Sequence, residues 1–358
     1  MRAYHPLTVL EKRRETRDSL RLVLDVPTGL REQFRFSAGQ HLPVRAEHGG
    51  RTLRRTYSIC SPPGRWPLEI GIRVQPGGAF STYVEEALAP GDTLDVMPPS
   101  GRFQLVPAPA AERSCLAFAA GSGITPILSI VGSLLENEPA SHVALFYGNR
   151  RQGSAMFVDE LYALKNRYPE RLQLTFLFSR EPQEFPIASG RLDAAKVREL
   201  WQAFCRHRMP DEAFVCGPDT MIDDVQTALV ELGMDPAHVH AERFGAPRRT
   251  RADVPVSAEP AASGAQAMVT VVQDGHRRSF AMSATDANVV DAAAAHGIEL
   301  PYSCKGGVCA TCRCLVVEGA ATMAVNYGLE PWEVEKGYIL ACQSVPQSPE
   351  LVLDYDSP

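Results

Sequence analysis

The chain has 358 residues, enough for two or three domains at roughly 150 residues each, and its 45% hydrophobic and 22% charged content excludes a disordered or fibrous class. A formal charge of -6 argues against a nucleic-acid binder that works through a basic face. The charge is uneven: Met268–Pro358 holds 11 acidic and 5 basic residues while the remainder is balanced, so an acidic C-terminal module that can steer a basic partner, or that is simply well solvated, follows a neutral body.

Residues 1 to about 107 carry short β-rich runs, Leu20–Val26, His41–Val44, Leu68–Val74 and Thr93–Val96, each closed by Pro, Gly or Asp. That spacing predicts an antiparallel β-barrel or sandwich. Two sites in it suit phosphate. Arg55-Thr56-Tyr57-Ser58 offers a planar guanidinium fork next to an aromatic ring and a hydroxyl. Gly77-Gly78-Ala79-Phe80-Ser81-Thr82 runs into Tyr83–Leu88, and Thr82 with Glu85 three residues on has the form of a capping box that starts a helix there. A helix N-terminus behind glycines presents free N–H groups to an anion. Two phosphate sites on one small domain suit a pyrophosphate, which under the family resemblance set out below favours FAD, with FMN left open.

From about 112 to 245, apolar strands (Leu116–Ala120, Val143–Tyr147, Leu172–Phe178, Ala213–Cys216) alternate with helical stretches (Pro126–Leu135, Ala155–Arg167, Thr220–Leu232). This is the pattern of an α/β parallel sheet. Ser114–Leu135 runs 22 residues without a charge, long enough to span a bilayer, but Gly121-Ser122-Gly123-Ile124-Thr125-Pro126 interrupts it. A strand, a glycine turn and a helix fit better, with Thr125 as N-cap, Pro126 at the first helical position and the helix dipole aimed at a pyrophosphate. Ser179-Arg180, with Glu181 beside it, follows the Leu172–Phe178 strand; Arg150 follows Tyr147-Gly148-Asn149; and Cys216-Gly217-Pro218 closes a strand.

Between Gly245 and Ala267 the composition turns to Ala, Pro, Ser and Arg without periodicity, and 246–267 is expected to be a semi-flexible linker. The last 91 residues open on a hairpin, Val269–Gln273 and Arg277–Met282, turned at Asp274-Gly275, with a helix near Asn288–Ala295. Cys304, Cys309 and Cys312 then fall in a C-x4-C-x2-C spacing, and Cys342 follows after 29 intervening residues. That is the plant-type [2Fe–2S] spacing, whereas structural zinc ordinarily takes two paired short spacings and only one exists here. Cys314 is expected to be a buried thiol rather than a fifth ligand. Nine cysteines in this arrangement do not form a secreted disulfide framework, and the N-terminus lacks a signal-like apolar stretch, so a soluble cytoplasmic protein with no membrane segment is expected.

Taken in order, these motifs resemble the ferredoxin–NADP reductase superfamily followed by a plant-type ferredoxin domain. Arg55-Thr56-Tyr57-Ser58 has its R-x-Y-S pattern, Phe36-Ser37-Ala38-Gly39-Gln40-His41 its entry strand, and Tyr302–Cys312 the ferredoxin cluster loop. The resemblance implies an FAD-binding β-barrel over 1–107, an NAD(P)-binding α/β domain over 108–245 and an α+β β-grasp ferredoxin domain over 268–358. It implies that Arg55 meets flavin phosphate, that Tyr57 and Ser58 flank the ring near N5, and that Gly77, Gly78, Ser81 and Thr82 hold the flavin pyrophosphate. Gly121, Gly123, Thr125 and Pro126 would serve the nicotinamide pyrophosphate. Ser179 and Arg180, with Arg150, would grip the 2′-phosphate of NADPH, with NADH left open by Glu181. Cys216, Gly217 and Pro218 would lie beside the nicotinamide, Cys304 and Cys309 would hold one iron, and Cys312 and Cys342 the other. No side chain is assigned as acid or base. Gly91–Phe103, Asn326–Glu330 and Gly337–Gln343 further resemble reductase components of multicomponent oxygenases, which implies oxygenase subunits of the di-iron carboxylate type as partner. Reductases of steroid or ring hydroxylases, or of hybrid-cluster proteins, share the same modules.

Overall fold

A computed structural model describes residues 3–205, 208–244, 267–283 and 285–357. The described residues divide into two compact units, one within 4–244 and one within 267–357. The expected linker lies almost wholly outside the described residues.

The first unit begins with β1 (His5–Thr16), β2 (Ser19–Asp25), β3 (His41–His48), β4 (Arg51–Ser58), β5 (Leu68–Arg73), α1 (Ala79–Glu86) and β6 (Thr93–Val96). The strands are antiparallel in the order β4-β3-β6-β1-β2-β5. A bridge between Ile59 and Ile70 joins the two end strands and closes the sheet into a barrel. Alternation then sends Leu7, Leu22, Leu42, Val44 and Ile70 into one core, capped by Phe80 of α1. Strand β1 is not expected from the sequence, because its second half, Glu11–Thr16, is mostly charged and has no apolar alternation. Backbone pairing to β2, with two register shifts, holds it in place.

The second sheet of this unit comprises β7 (Ser114–Ala120), α2 (Ile124–Asn137), β8 (His142–Asn149), α3 (Val158–Arg167), β9 (Leu172–Phe178), α4 (Ala194–Phe204), β10 (Glu212–Cys216), α5 (Asp219–Glu231) and β11 (Val239–Glu242). All its strands are parallel, in the order β11-β10-β7-β8-β9. The order reverses between β7 and β10, so the loops after those strands diverge and leave a crevice at their carboxyl ends. Two further elements are not expected from the sequence: α4, which Asp193 caps by accepting the Lys196 N–H at 2.9 Å, and β11, which is only four residues long. The uncharged Ser114–Leu135 run becomes β7, a short 3-10 turn at Gly121–Gly123 and most of α2. No helix among the described residues is long and apolar enough to cross a membrane.

Polar contacts tie barrel to parallel sheet. Arg21 on β2, only 7% exposed, pairs with Glu15 at 2.9 Å, Glu69 at 3.3 Å and Glu160 of α3, and its guanidinium lies 4.7 Å from the Phe157 ring centroid. Phe157 adopts φ +58, costly for an aromatic residue. Its N–H donates to Glu15 at 2.9 Å, so the barrel holds that turn in place. Ser129 of α2 donates to the Ser61 carbonyl at 2.8 Å.

The C-terminal unit contains β12 (Ala267–Gln273), β13 (His276–Met282), α6 (Val289–Ala295), β14 (Arg313–Glu318), β15 (Ala321–Met323), α7 (Pro331–Glu335), β16 (Tyr338–Leu340), β17 (Ser344–Pro346) and β18 (Glu350–Asp354). Its main sheet runs β13-β12-β18-β14-β16, with β12 and β18 parallel and the rest antiparallel. Helix α6 buries Val289, Val290 and Ala293 against Val269, Val271 and Leu353, a β-grasp arrangement. The β12–β13 hairpin turns at Asp274-Gly275 as its sequence predicts, both at positive φ, and Asn288 caps α6 by accepting the Asp291 N–H at 2.9 Å.

Candidate functional site

On β4 side chains alternate, so Arg55 and Tyr57 point to one side and Thr56 and Ser58 to the other. Arg55 is exposed, and its guanidinium donates to the Arg54 carbonyl at 2.7 Å. Tyr57 packs 5.7 Å from Phe80, centroid to centroid, which brings β4 and α1 together. Burial pushes its hydroxyl well above the ordinary phenol range, so it remains a neutral ring. Ser58 is buried and faces the parallel sheet.

Helix α1 starts earlier than the sequence predicts. Gly78 is its N-cap, so Thr82 is the fourth helical residue and the Thr82–Glu85 capping box does not form. Ser81 does that work instead: its hydroxyl accepts the Gln75 N–H at 3.0 Å and donates to the Gly78 carbonyl at 3.1 Å. This ties the Gly77-Gly78 loop to the helix and leaves the first-turn N–H groups without helical acceptors. An exposed cation on β4 and free N–H groups on the helix packed against that strand fit a flavin bearing a pyrophosphate.

Helix α2 also begins early. Gly123 is its N-cap, Thr125 is the second helical residue and Pro126 the third, where Pro still costs no helical hydrogen bond. The expected N-cap role of Thr125 therefore does not hold, because the 3-10 turn of Gly121–Gly123 runs directly into the helix. Thr125 and Pro126 are buried, and the Thr125 hydroxyl donates to the Ser122 carbonyl at 3.0 Å. A Cβ on Gly123 would stand 2.1 Å from the Cys216 carbonyl oxygen, so the glycine turn and the Cys216-Gly217-Pro218 turn press together across the crevice. Pro218 is the N-cap of α5. Arg73, a barrel residue absent from the sequence reading, reaches this loop: Nη1 lies 2.8 Å from where a Gly121 Cβ would be, and Nη2 donates to Ser154 and Asp18 at 3.2 Å each.

Arg150, Ser179 and Arg180 come together at the ends of β8 and β9. The Ser179 N–H donates to Asn149 at 3.0 Å and the Arg180 N–H to Arg150 at 2.9 Å, and both arginine side chains are exposed. Glu181 accepts the Gln152 N–H at 2.8 Å, which engages its carboxylate in the neighbouring loop.

At the end of β10, Cys216 is fully buried, and burial first, then the charge of Glu242, pushes its thiol well above the ordinary range. Glu242, beside Cys216 in the β10–β11 register, is a second site residue, after Arg73, that the sequence does not signal. Its carboxylate bridges to the barrel, with Oε1 3.2 Å from His41 Nδ1 and Oε2 3.4 Å from Ser58 Oγ. The only signal in the sequence is an acid after the short Val239-His240-Ala241 stretch, which spacing alone does not distinguish from a surface glutamate.

In the C-terminal unit the cysteine loop passes through left-handed backbone at Lys305, Gly307 and Ala310. That winding turns N–H groups inward: Gly306 and Cys309 donate to Cys304 Sγ at 3.3 and 3.4 Å, and the Thr311 hydroxyl donates to Cys309 Sγ at 3.2 Å. Gln343 Nε2 reaches Cys342 Sγ at 3.6 Å. The four sulfurs are arranged in two pairs. A hydrogen bond from Cys309 lowers Cys304, and one from Cys312 lowers Cys342, while the donor thiols are raised. Among the described residues no three His, Cys, Asp or Glu side chains converge on one metal ion. Paired thiols ringed by N–H donors fit a two-iron cluster, which takes two thiolates per iron and needs its negative charge offset. Cys314 is buried on β14, its thiol against the Ile339 carbonyl at 4.0 Å.

Comparison with known proteins gives three family matches. Residues 6–105 match the oxidoreductase FAD-binding domain, 118–227 the oxidoreductase NAD-binding domain and 271–347 the 2Fe-2S iron-sulfur cluster binding domain. The chain is 43% identical to a component of the 1,2-phenylacetyl-CoA epoxidase of Escherichia coli (strain K12), over 100% of this chain and 99% of the relative. It is 35% identical to the ferredoxin reductase component of 3-ketosteroid-9-alpha-monooxygenase of Rhodococcus rhodochrous, over 98% and 96% of the two chains. Among solved structures, phthalate dioxygenase reductase superposes with a TM-score of 0.60 at 25% identity, covering 98% of each chain.

Proposed function

This chain belongs to the ferredoxin–NADP reductase superfamily, in the branch that joins FAD-binding, NAD-binding and [2Fe–2S] domains in an NAD(P)H-dependent oxidoreductase serving oxygenases, and we propose that it is the cytoplasmic reductase of a di-iron oxygenase that epoxidises the ring of phenylacetyl-CoA. The observation that carries this reading is the 43% identity along the whole length of the Escherichia coli epoxidase component. The barrel residues would hold FAD, which would supply a site for hydride acceptance from the nicotinamide, and the four cysteines would hold a [2Fe–2S] cluster, which would supply one-electron transfer. Nine free cysteines suit a reducing compartment.

The division of labour follows the three modules at 1–107, 108–245 and 268–358. Arg55 and the loop of Gly77, Gly78, Ser81 and Thr82 bind the flavin phosphates, and Tyr57 and Ser58 line the ring. Gly121 and Gly123 let the nicotinamide pyrophosphate approach the backbone, while Thr125 and Pro126 shape the helix behind them. Cys216, Gly217 and Pro218 flank the nicotinamide; the protonated Cys216 thiol packs there and does not attack. Arg150, Ser179 and Arg180 take the 2′-phosphate. With Glu181 engaged by Gln152, NADPH is favoured over NADH. Cys304 with Cys309, and Cys312 with Cys342, ligate the two irons.

The test is reconstitution. Purified reductase with NADPH should drive oxygen-dependent turnover of phenylacetyl-CoA by a di-iron epoxidase component, and tagged protein from phenylacetate-grown cells should co-purify with that component. Capture of a Rieske or steroid hydroxylase, with no epoxidase turnover, would overturn the partner. The 35% identity to a steroid monooxygenase reductase makes that the second reading.

A further inference from the structure

Two cross-strand pairs meet where the barrel faces the parallel sheet. His41 lies opposite Ser58 in the antiparallel β3–β4 register, and Cys216 lies opposite Glu242 in the parallel β10–β11 register. Glu242 joins the pairs, reaching His41 Nδ1 with one carboxylate oxygen at 3.2 Å and Ser58 Oγ with the other at 3.4 Å. The His41 and Glu242 side chains are 6% and 10% exposed, so water competes little for either contact.

The histidine is clamped from behind. Its backbone exchanges two hydrogen bonds with Ser100, at 2.9 and 3.0 Å, and a Cβ on Gly101 would stand 2.8 Å from its ring. Only a residue without a side chain leaves room for the imidazole. The other ring nitrogen, Nε2, is buried with no hydrogen-bond partner among the described residues.

An ionised carboxylate only accepts, so both His41 Nδ1 and the Ser58 hydroxyl must donate to Glu242. The opposite tautomer would set a lone pair against the carboxylate and bury an unmatched N–H at Nε2, leaving a desolvated donor without an acceptor. The geometry therefore selects Nδ1–H for the neutral ring. We propose that His41 is a positioning residue for electron entry: its Nδ1–H orients Glu242, and Glu242 in turn fixes the direction of the Ser58 hydroxyl and holds the end of β11 against the barrel. No bond-making step is added in this role. The proposal rests on the reading that Ser58 and Cys216 line the meeting place of flavin and nicotinamide.

The experiment uses flavin-loaded, full-length protein. A two-bond 15N–1H correlation spectrum of histidine-labelled protein at pH 8, with His41 identified by its loss in His41→Asn, should show the Nδ1–H tautomer; an Nε2–H tautomer overturns the proposal. In anaerobic stopped flow with NADPH, His41→Phe should lower the limiting rate of flavin reduction roughly tenfold to a hundredfold, as for a small misplacement of a reacting group. NADPH affinity should stay within about twofold, since the site of tight binding lies elsewhere. His41→Asn, which keeps an N–H near the Nδ1 position, should stay within about threefold of the parent. Equal losses in Asn and Phe variants, or none in Phe, would overturn the proposal. Should His41→Phe fail to fold, Glu242→Ala decides: without its acceptor, His41 should become a tautomer mixture, and an unchanged Nδ1–H form would count against the bridge. Failure of the wild-type flavin to bleach with NADPH would instead overturn the reductase reading and leave the tautomer result intact.

Discussion

The Cβ that Gly123 lacks would stand 2.1 Å from the carbonyl oxygen of Cys216. Both partners are backbone, fixed by the start of α2 and the end of β10, so neither can rotate aside. Gly123→Ala should therefore separate the two turns that flank the crevice. A loss of about 1–3 kcal/mol is expected from such overpacking, together with at least tenfold weaker NADPH binding and normal flavin content. Thermal melts and a nucleotide titration check this; an unchanged melting temperature would show that the contact is not a constraint.

What was legible in the sequence had a local cause. The Leu172–Phe178 strand, the Asp274-Gly275 hairpin and the cysteine spacing each follow from neighbours in the chain. The helix starts were misplaced because side-chain rules favoured Thr82 and Thr125, whereas glycine backbone let both helices begin earlier, at Ala79 and Ile124. Strand β1 was hidden by its charged second half, and β11 by its length. Glu242 could not be found from spacing at all, since 201 residues separate it from His41 and 184 from Ser58. Only the apposition of two sheets gives it meaning, as it does for Arg73 over Gly121.

Arg180→Ala should raise the Michaelis constant for NADPH by tenfold or more while changing that for NADH by less than about twofold, the expected result of losing one charge-assisted phosphate contact. The exposed Arg180 and Arg150 side chains have adjacent backbones, bonded at 2.9 Å, so either can serve a phosphate there. Steady-state kinetics with both nucleotides decide it. Equal losses for the two would remove the preference for NADPH.

Cys304 accepts N–H groups from Gly306 and Cys309, and with Cys304 proposed as a cluster ligand, Cys304→Ser tests the cluster separately from the flavin. The variant should lose the EPR signal of the reduced [2Fe–2S] cluster, yet its flavin band should still bleach under anaerobic NADPH at a rate close to the parent. Loss of both functions together would contradict the modular account.

The sheet that carries the nucleotide loops also has a pH-dependent brace. Glu138, at the end of α2, is fully buried, accepts Arg113 Nε at 3.1 Å and the Ser141 hydroxyl at 2.7 Å, and takes the Ala108 N–H at 2.9 Å. Burial alone would push its carboxyl up, but the guanidinium and these hydrogen bonds outweigh it, and the net direction is below the ordinary value of 4.5. The folded state thus binds its proton more weakly than the unfolded chain does. The stabilisation is complete above about 4.5 and is lost as pH falls through the lower folded value. Glu138→Gln should cost on the order of 2 kcal/mol at pH 7, less than the roughly 3–5 of a fully buried pair because Arg113 keeps a solvent edge. Urea melts of parent and variant from pH 7 to pH 3 should bring the two curves together only on the acid side. A gap that stays constant across that range would mean that the brace is held by packing and hydrogen-bond shape rather than by charge.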